Sequence, residues 1–113
     1  MMIDIFKRKP IQFRVVEVAE FEILRNQSDA VALDVRTNEE IISGQIGEPL
    51  NLNYFSGNFS KSLALLDRSK TYLVYCRNGG RARKTCKMMT ELNFANVIML
   101  KGGYKAWQKG AVE

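Results

Sequence analysis

Thr71-Tyr72-Leu73-Val74-Tyr75-Cys76-Arg77-Asn78-Gly79-Gly80-Arg81 is the stretch on which the fold turns. Its first five residues are β-branched, aromatic or aliphatic without a break, as in a strand buried on both faces. A cysteine, two glycines and two arginines follow at once. Arg81 then opens a helical run to Leu92 in which Ala82, Cys86, Met89 and Leu92 share one apolar face. Strand, tight glycine loop and helix in that order form the first half of a βαβ unit.

The alternation continues on either side. Residues 13–16 read as a short strand and 17–25 as a helix with Val18, Phe21 and Leu24 at helical spacing. Residues 30–34 (Ala-Val-Ala-Leu-Asp) are a buried strand ending in an acid. Thr37 and Glu40 have the spacing of a capping box, so a short helix starts at Asn38 and ends near Gly44. Residues 49–53 suggest a short strand before a Gly57-Asn58 turn. Ser60 is expected to cap a helix from Lys61 to about Leu66. Beyond the central stretch, residues 97–100 read as a strand and 103–109 as a helix ended by Gly110. The pattern predicts an α/β fold of three layers, a mainly parallel sheet of about five strands with helices on both faces. Without repeats, low-complexity tracts or linkers, residues 1–113 are expected to form one domain, a usual domain size, with the motifs within about 13–110.

The charge distribution singles out the same stretch. The chain has 17 Lys plus Arg, 12 Asp plus Glu and no histidine, for a net charge of +5. Arg77, Arg81, Arg83, Lys84 and Lys87 supply the whole excess, with no acid among them, and the remainder is balanced. Arg83, Lys84 and Lys87 fall on the outer helical face, as a solvated surface or as a field that steers anions or docks an acidic partner. The absence of His excludes Ser-His-Asp and Cys-His catalysis within this chain and removes the commonest metal ligand. Two cysteines ten apart match no zinc pattern, and neither a metal nor a cofactor is expected.

With 46% apolar and 26% charged residues, the chain falls outside the disordered, fibrous and membrane classes. No apolar run approaches the roughly 18 residues of a membrane-spanning helix. Near the N-terminus the apolar residues precede Lys7, Arg8 and Lys9, the reverse of a secretory signal. Those three cations read as a solvated terminus. Free cysteines suit a reducing compartment, and a cytoplasmic location is expected. Cations gathered around a cysteine, rather than along an aromatic-studded face, argue against nucleic acid as a partner.

The loop from Cys76 to Arg81 lies between a buried strand and a helix N-terminus, where open α/β sheets bind ligands. The first amides of a helix are free donors, and the helix dipole favours negative charge there. Gly79 and Gly80 allow positive φ, so the loop can curl into a nest of inward amides. Cys76 at its mouth is the candidate nucleophile, expected largely as thiolate, with Arg77, Asn78, Gly79, Gly80 and Arg81 as its binding loop. Asp34 and Arg36 are expected to form a buried pair that orders the surrounding loops. Cys86 reads as a core residue, as do Leu100, Tyr104 and Trp107.

Three motifs in order carry a family resemblance. Leu33-Asp34-Val35-Arg36-Thr37-Asn38-Glu39-Glu40, Tyr75-Cys76-Arg77-Asn78-Gly79-Gly80-Arg81-Ala82 and Leu100-Lys101-Gly102-Gly103-Tyr104-Lys105-Ala106-Trp107 resemble signatures of the single-domain rhodaneses, the sulfurtransferase family. One departure is Gly44-Gln45-Ile46, where the family usually has Gly-His-Ile. The resemblance implies that Cys76 takes sulfane sulfur from a small sulfur anion such as thiosulfate and passes it to cyanide, a cellular thiol or a thioredoxin-like acceptor protein. The loop amides would then stabilise the persulfide, while Arg77 and Arg81 hold the donor. The alternative is a persulfide carrier or docking module with little turnover of its own. Rhodanese-fold phosphatases, which the chain also resembles, have one more loop residue; here the spacing is Cys-x4-Arg, which argues against phosphoryl transfer.

Overall fold

In the computed structural model, which describes residues 12–112, β4 (Thr71–Tyr75) is the central strand of a five-stranded sheet. The strand order is β1 (Arg14–Val16), β5 (Asn96–Leu100), β4, β2 (Ala30–Asp34), β3 (Leu50–Asn51). Every neighbouring pair is parallel, with Ala30 opposite Thr71 and Asp34 opposite Tyr75 in the β2–β4 pair. The expectations for Met1 to Pro10, including Lys7, Arg8 and Lys9, lie outside the described residues.

Side chains alternate across the pleat, so β4 feeds two cores. On one face Leu33, Tyr72, Val74, Val97 and Met99 pack against α3 (Phe59–Ala64) and α4 (Gly80–Glu91) through Phe59, Leu63, Ala82, Cys86 and Met89. On the other, Val16, Leu73, Tyr75, Ile98 and Leu100 pack against Phe21 of α1 (Val18–Arg25) and against Tyr104 and Trp107 of α5 (Gly103–Val112). This is the three-layer α/β arrangement that the alternation predicts. Each fully buried Leu, Val or Phe contributes about 1.5–3 kcal/mol of hydrophobic stabilisation. Cys86, with no exposed surface, belongs to the first core. No helix among the described residues is long and apolar enough to cross a membrane.

Two helix boundaries differ from the sequence reading. α3 starts at Phe59 after Asn58, not under a Ser60 cap, and Asn58 makes no side-chain cap. Burial of Phe59 against the Tyr54 ring, 5.1 Å away, sets the start instead. α5 runs through Gly110 to Val112. A Cβ at Gly110 would lie 2.8 Å from the Val18 side chain, so that glycine lets α1 and α5 approach and is not a stop signal.

The chain leaves β2 through α2 (Asn38–Ile42) toward β3 on one side, and leaves β4 through α4 toward β5 on the other. Loops that depart in opposite directions open a crevice at the carboxyl ends of β2 and β4, where doubly wound sheets bind ligands. Asp34 and Cys76 stand at its two sides.

Candidate active site

Cys76 continues from β4 and is 1% exposed. Two backbone amides donate to its Sγ, Gly79 N at 3.1 Å and Ala82 N at 3.3 Å. Both belong to the start of α4, whose first N–H groups have no partner within the helix. Ala82, outside the loop picked from sequence, is therefore part of the nest, and only Gly79 among the expected amides of residues 77–81 bonds the sulfur. The glycines also divide their work differently from the expectation. Gly79 has φ +131°, a conformation L side chains rarely adopt, and this turns its amide inward. Gly80 has no positive φ and is the first helical residue, with open space where a Cβ would stand. Arg77 and Asn78 are exposed at the loop crest.

Arg81 does not reach out to solvent. Its guanidinium donates to both carboxylate oxygens of Glu40, each at 2.8 Å, and lies over the Phe55 ring at 5.4 Å. Glu40 also completes the capping box of α2, accepting from Thr37 N at 2.9 Å while Thr37 Oγ1 accepts from Glu40 N at 3.2 Å. One acid thus caps α2 and clamps the nucleophile loop. Sequence reasoning assigned Glu40 to the cap alone, because a partner 41 positions away leaves no local signal.

The Arg81 hydrogen bonds hold the Glu40 carboxyl at a pKa of about 2, against an ordinary 4.5. A pKa depressed in the folded state adds stability that is complete above the unfolded value and lost as pH falls through the folded one. The urea midpoint is therefore expected to fall between about pH 4.5 and about pH 2, and Glu40→Gln should flatten that limb. An unchanged acid limb in Glu40→Gln would place the acid sensitivity elsewhere.

Asp34 and Arg36 form a buried ion pair, with side chains 0% and 2% exposed. Arg36 Nη2 donates to Asp34 Oδ2 at 2.8 Å and Nε to Oδ1 at 3.0 Å. The guanidinium also donates to the carbonyl of Gly44 at 2.6 Å and stacks over Tyr104, 4.2 Å from the ring centroid. Burial works against the charge on Arg36, but hydrogen bonding and charge attraction to Asp34, with smaller contributions from Tyr75 and Tyr104, together outweigh it and raise the pKa. Gln45, at the departure noted in the sequence, places Nε2 3.5 Å from Asp34 Oδ2.

The start of α5 holds the loop from beneath. Tyr104 N donates to the carbonyl of Cys76 at 2.8 Å, and Lys105 N to that of Arg77 at 3.1 Å. A Cβ on Gly103 would meet both carbonyl oxygens at 2.5 Å. This contact gives Gly103, the second of the glycine pair, a physical meaning that the sequence reading did not find.

Burial pushes the thiol of Cys86 up to about 12, which leaves it protonated and inert. Cys76, with amides aimed at its sulfur, is the one suited to nucleophilic attack. Among the described residues, no cluster of His, Cys, Asp and Glu could hold a metal ion.

A rhodanese-like domain family model matches residues 17–110. The Bacillus subtilis protein named "Putative sulfurtransferase YtwF" is 30% identical over 87 residues, which cover 77% of this chain and 82% of that protein. A protein named "Sulfurtransferase" from Allochromatium vinosum is 27% identical over 86 residues, covering 76% and 78%. Among solved structures, a rhodanese-related protein from Thermoplasma volcanium superposes with a TM-score of 0.75 at 25% identity, over 87% of this chain and 93% of that one. The match takes in all three motifs, the crevice and the nest, and the chain belongs to the rhodanese-like domain family.

Proposed function

We propose that the protein is a sulfurtransferase that carries sulfane sulfur as a persulfide on Cys76. The observation that carries this reading is the pair of backbone amides, Gly79 N and Ala82 N, donating to Sγ at a helix start in a chain without histidine. The naming of relatives as sulfurtransferases supports it.

The Cys76 thiolate attacks the outer sulfur of a donor such as thiosulfate. The donor's S–S bond breaks, sulfite leaves with the bonding electrons, and a new S–S bond forms on Sγ. The Gly79 and Ala82 amides stabilise negative charge at the sulfur through both halves of the cycle, as fixed dipoles that need no reorganisation. Exposed Arg77 attracts and orients the dianion, while Arg81, tied to Glu40, holds the loop in shape. Cyanide, a small thiol or a thioredoxin-like protein then takes the sulfur. The two free cysteines suit a reducing, cytoplasmic setting.

Incubation with thiosulfate is expected to add about 32 Da, one sulfur, to the tryptic peptide that ends at Arg77 and contains Cys76. The peptide containing Cys86 should stay unmodified, since its thiol is held protonated within the core. No gain in mass from thiosulfate or another sulfane donor would overturn the proposal. Loading without multiple turnover on cyanide would redefine the protein as a persulfide carrier.

A further inference from the structure

The helix that supplies amides to the sulfur also has a face turned away from the core. Ala82, Thr85, Cys86 and Met89 are the buried side of α4. Gly80, Arg83, Lys84 and Lys87 are exposed on the side opposite. Gly80, Lys84 and Lys87 fall in one line, at spacings of four and three. We infer that this face is a docking surface for an acidic protein that presents a cysteine to Cys76. The inference rests on the sulfurtransferase reading above and names the kind of partner.

Charge gives the sign of the partner. Of the cations between Arg77 and Lys87, Arg81 is neutralised by Glu40. Arg77, Arg83, Lys84 and Lys87 enter no ion pair among the described residues. The Arg83 guanidinium lies over the Phe13 ring at 5.7 Å, which orders it without removing its charge. Glu91, the only acid of α4, ends the strip one turn beyond Lys87.

Extent gives the kind. Gly80 and Lys87 are seven residues apart, about 10 Å along a helix. A dianion the size of thiosulfate covers one end of such a strip, whereas an acidic protein face spans it. Four cations fall short of the roughly six to ten phosphate contacts of a nucleic-acid site. The exposed positions of α4 also carry no aromatic ring on which bases would stack. An apolar anchor stands nearby instead: Phe55 is 67% exposed and lies against the Arg81 guanidinium at the start of α4. An exposed aromatic beside a charged rim is the composition of a protein interface. The strip is also held in register with the chemistry, because Ala82 N donates to Cys76 Sγ at 3.3 Å and Lys84 follows two residues later.

The step on docking is balanced. The partner's cysteine loses its proton to solvent, and its thiolate attacks the outer sulfur of the Cys76 persulfide. The bond to Sγ breaks with its electron pair returning to Cys76, and the partner leaves as the persulfide.

Two short peptides test the surface, one with a single cysteine among glutamates and its twin with glutamines in their place. Each discharges sulfur-loaded protein at matched thiolate concentration, and loss of the sulfur adduct is timed. At low ionic strength the acidic peptide is expected to react roughly ten-fold faster, an advantage that shrinks at high salt. Lys84→Glu should remove most of that advantage. Lys70→Glu, the same charge change at an exposed site before the opposite end of β4, should keep it. Equal rates for the two peptides would overturn the docking surface. So would a Lys84→Glu effect just as large on thiosulfate loading, which would reduce the strip to a general field for anions. Protection of the loaded protein by oligouridine at lower concentration than by a cysteine-free acidic peptide would assign the strip to nucleic acid and overturn it too. Failure to load would reject the sulfurtransferase reading itself.

Discussion

Arg36→Ala is expected to cost about 3–5 kcal/mol of stability, the usual penalty for removing one partner of a buried ion pair. Asp34 would keep the amide of Arg36 at 2.9 Å, a long contact from Gln45 at 3.5 Å and the neighbouring Tyr75 hydroxyl, with no solvent to replace the guanidinium. The loss also reaches beyond the pair. Arg36 ties the end of β2 to the Gly44 carbonyl and to the Tyr104 ring, joining α2, the following loop and α5 around the crevice. Arg36→Lys should recover only part of the loss, because an ammonium supplies neither the two-pronged hydrogen bonding nor the flat stacking surface. Asp34→Ala combined with Arg36→Ala should be less destabilising than the two single changes added together, since no lone charge is left behind. Urea midpoints of the four variants measure this, and a loss below about 1 kcal/mol for Arg36→Ala would mean that the pair is dispensable.

Gly103→Ala is the second large effect expected, about 2–4 kcal/mol, from a left-handed backbone and an overpacked contact. The φ of +64° is a modest penalty by itself. The decisive element is backbone on backbone: the added methyl would lie 2.5 Å from the carbonyl oxygens of Cys76 and Arg77, and no rotamer change relieves that. Either α5 lifts away, breaking the Tyr104 and Lys105 hydrogen bonds, or the loop shifts and carries the Gly79 amide off the sulfur. Sulfur loading should therefore slow even at temperatures where the variant remains folded. Gly57→Ala is the control, since a Cβ there finds open space and its φ is not in the left-handed range. If Gly103→Ala and Gly57→Ala melt alike, the docking of α5 on the loop does not matter.

The features legible in the sequence were those written locally. β2 and β4 are read off at their true bounds because each is a continuous apolar run. The α2 capping box needs only Thr37 and Glu40, and the inward face of α4 needs only a spacing of three and four. The Asp34–Arg36 pair lies within two residues. The nest was partly legible: the glycine loop and the helix start were evident, but which amides meet the sulfur depends on how Gly79 turns. What escaped was long-range. Arg81 seemed free to hold a donor, because nothing near it in sequence announces Glu40 as its partner. Gly110 read as a stop signal because its close approach to Val18 is set by the packing of the first helix on the last. Gly103 could be matched to a signature without being explained, since the backbone it touches, at Cys76 and Arg77, is distant in sequence.

The place of β5 between β4 and β1 bears on how the chain is made. Among the described residues, β1 has no neighbour other than β5, with Arg14 opposite Ile98 and Val16 opposite Leu100. On the ribosome, β1 emerges before β5 and waits, unpaired, until β5 follows it out of the exit tunnel. Closing so long a loop is entropically costly and slow, and waiting edges are prone to aggregate. β5 acts as a keystone: a nascent chain stopped before Asn96 would expose both the flank of β4 and the whole of β1.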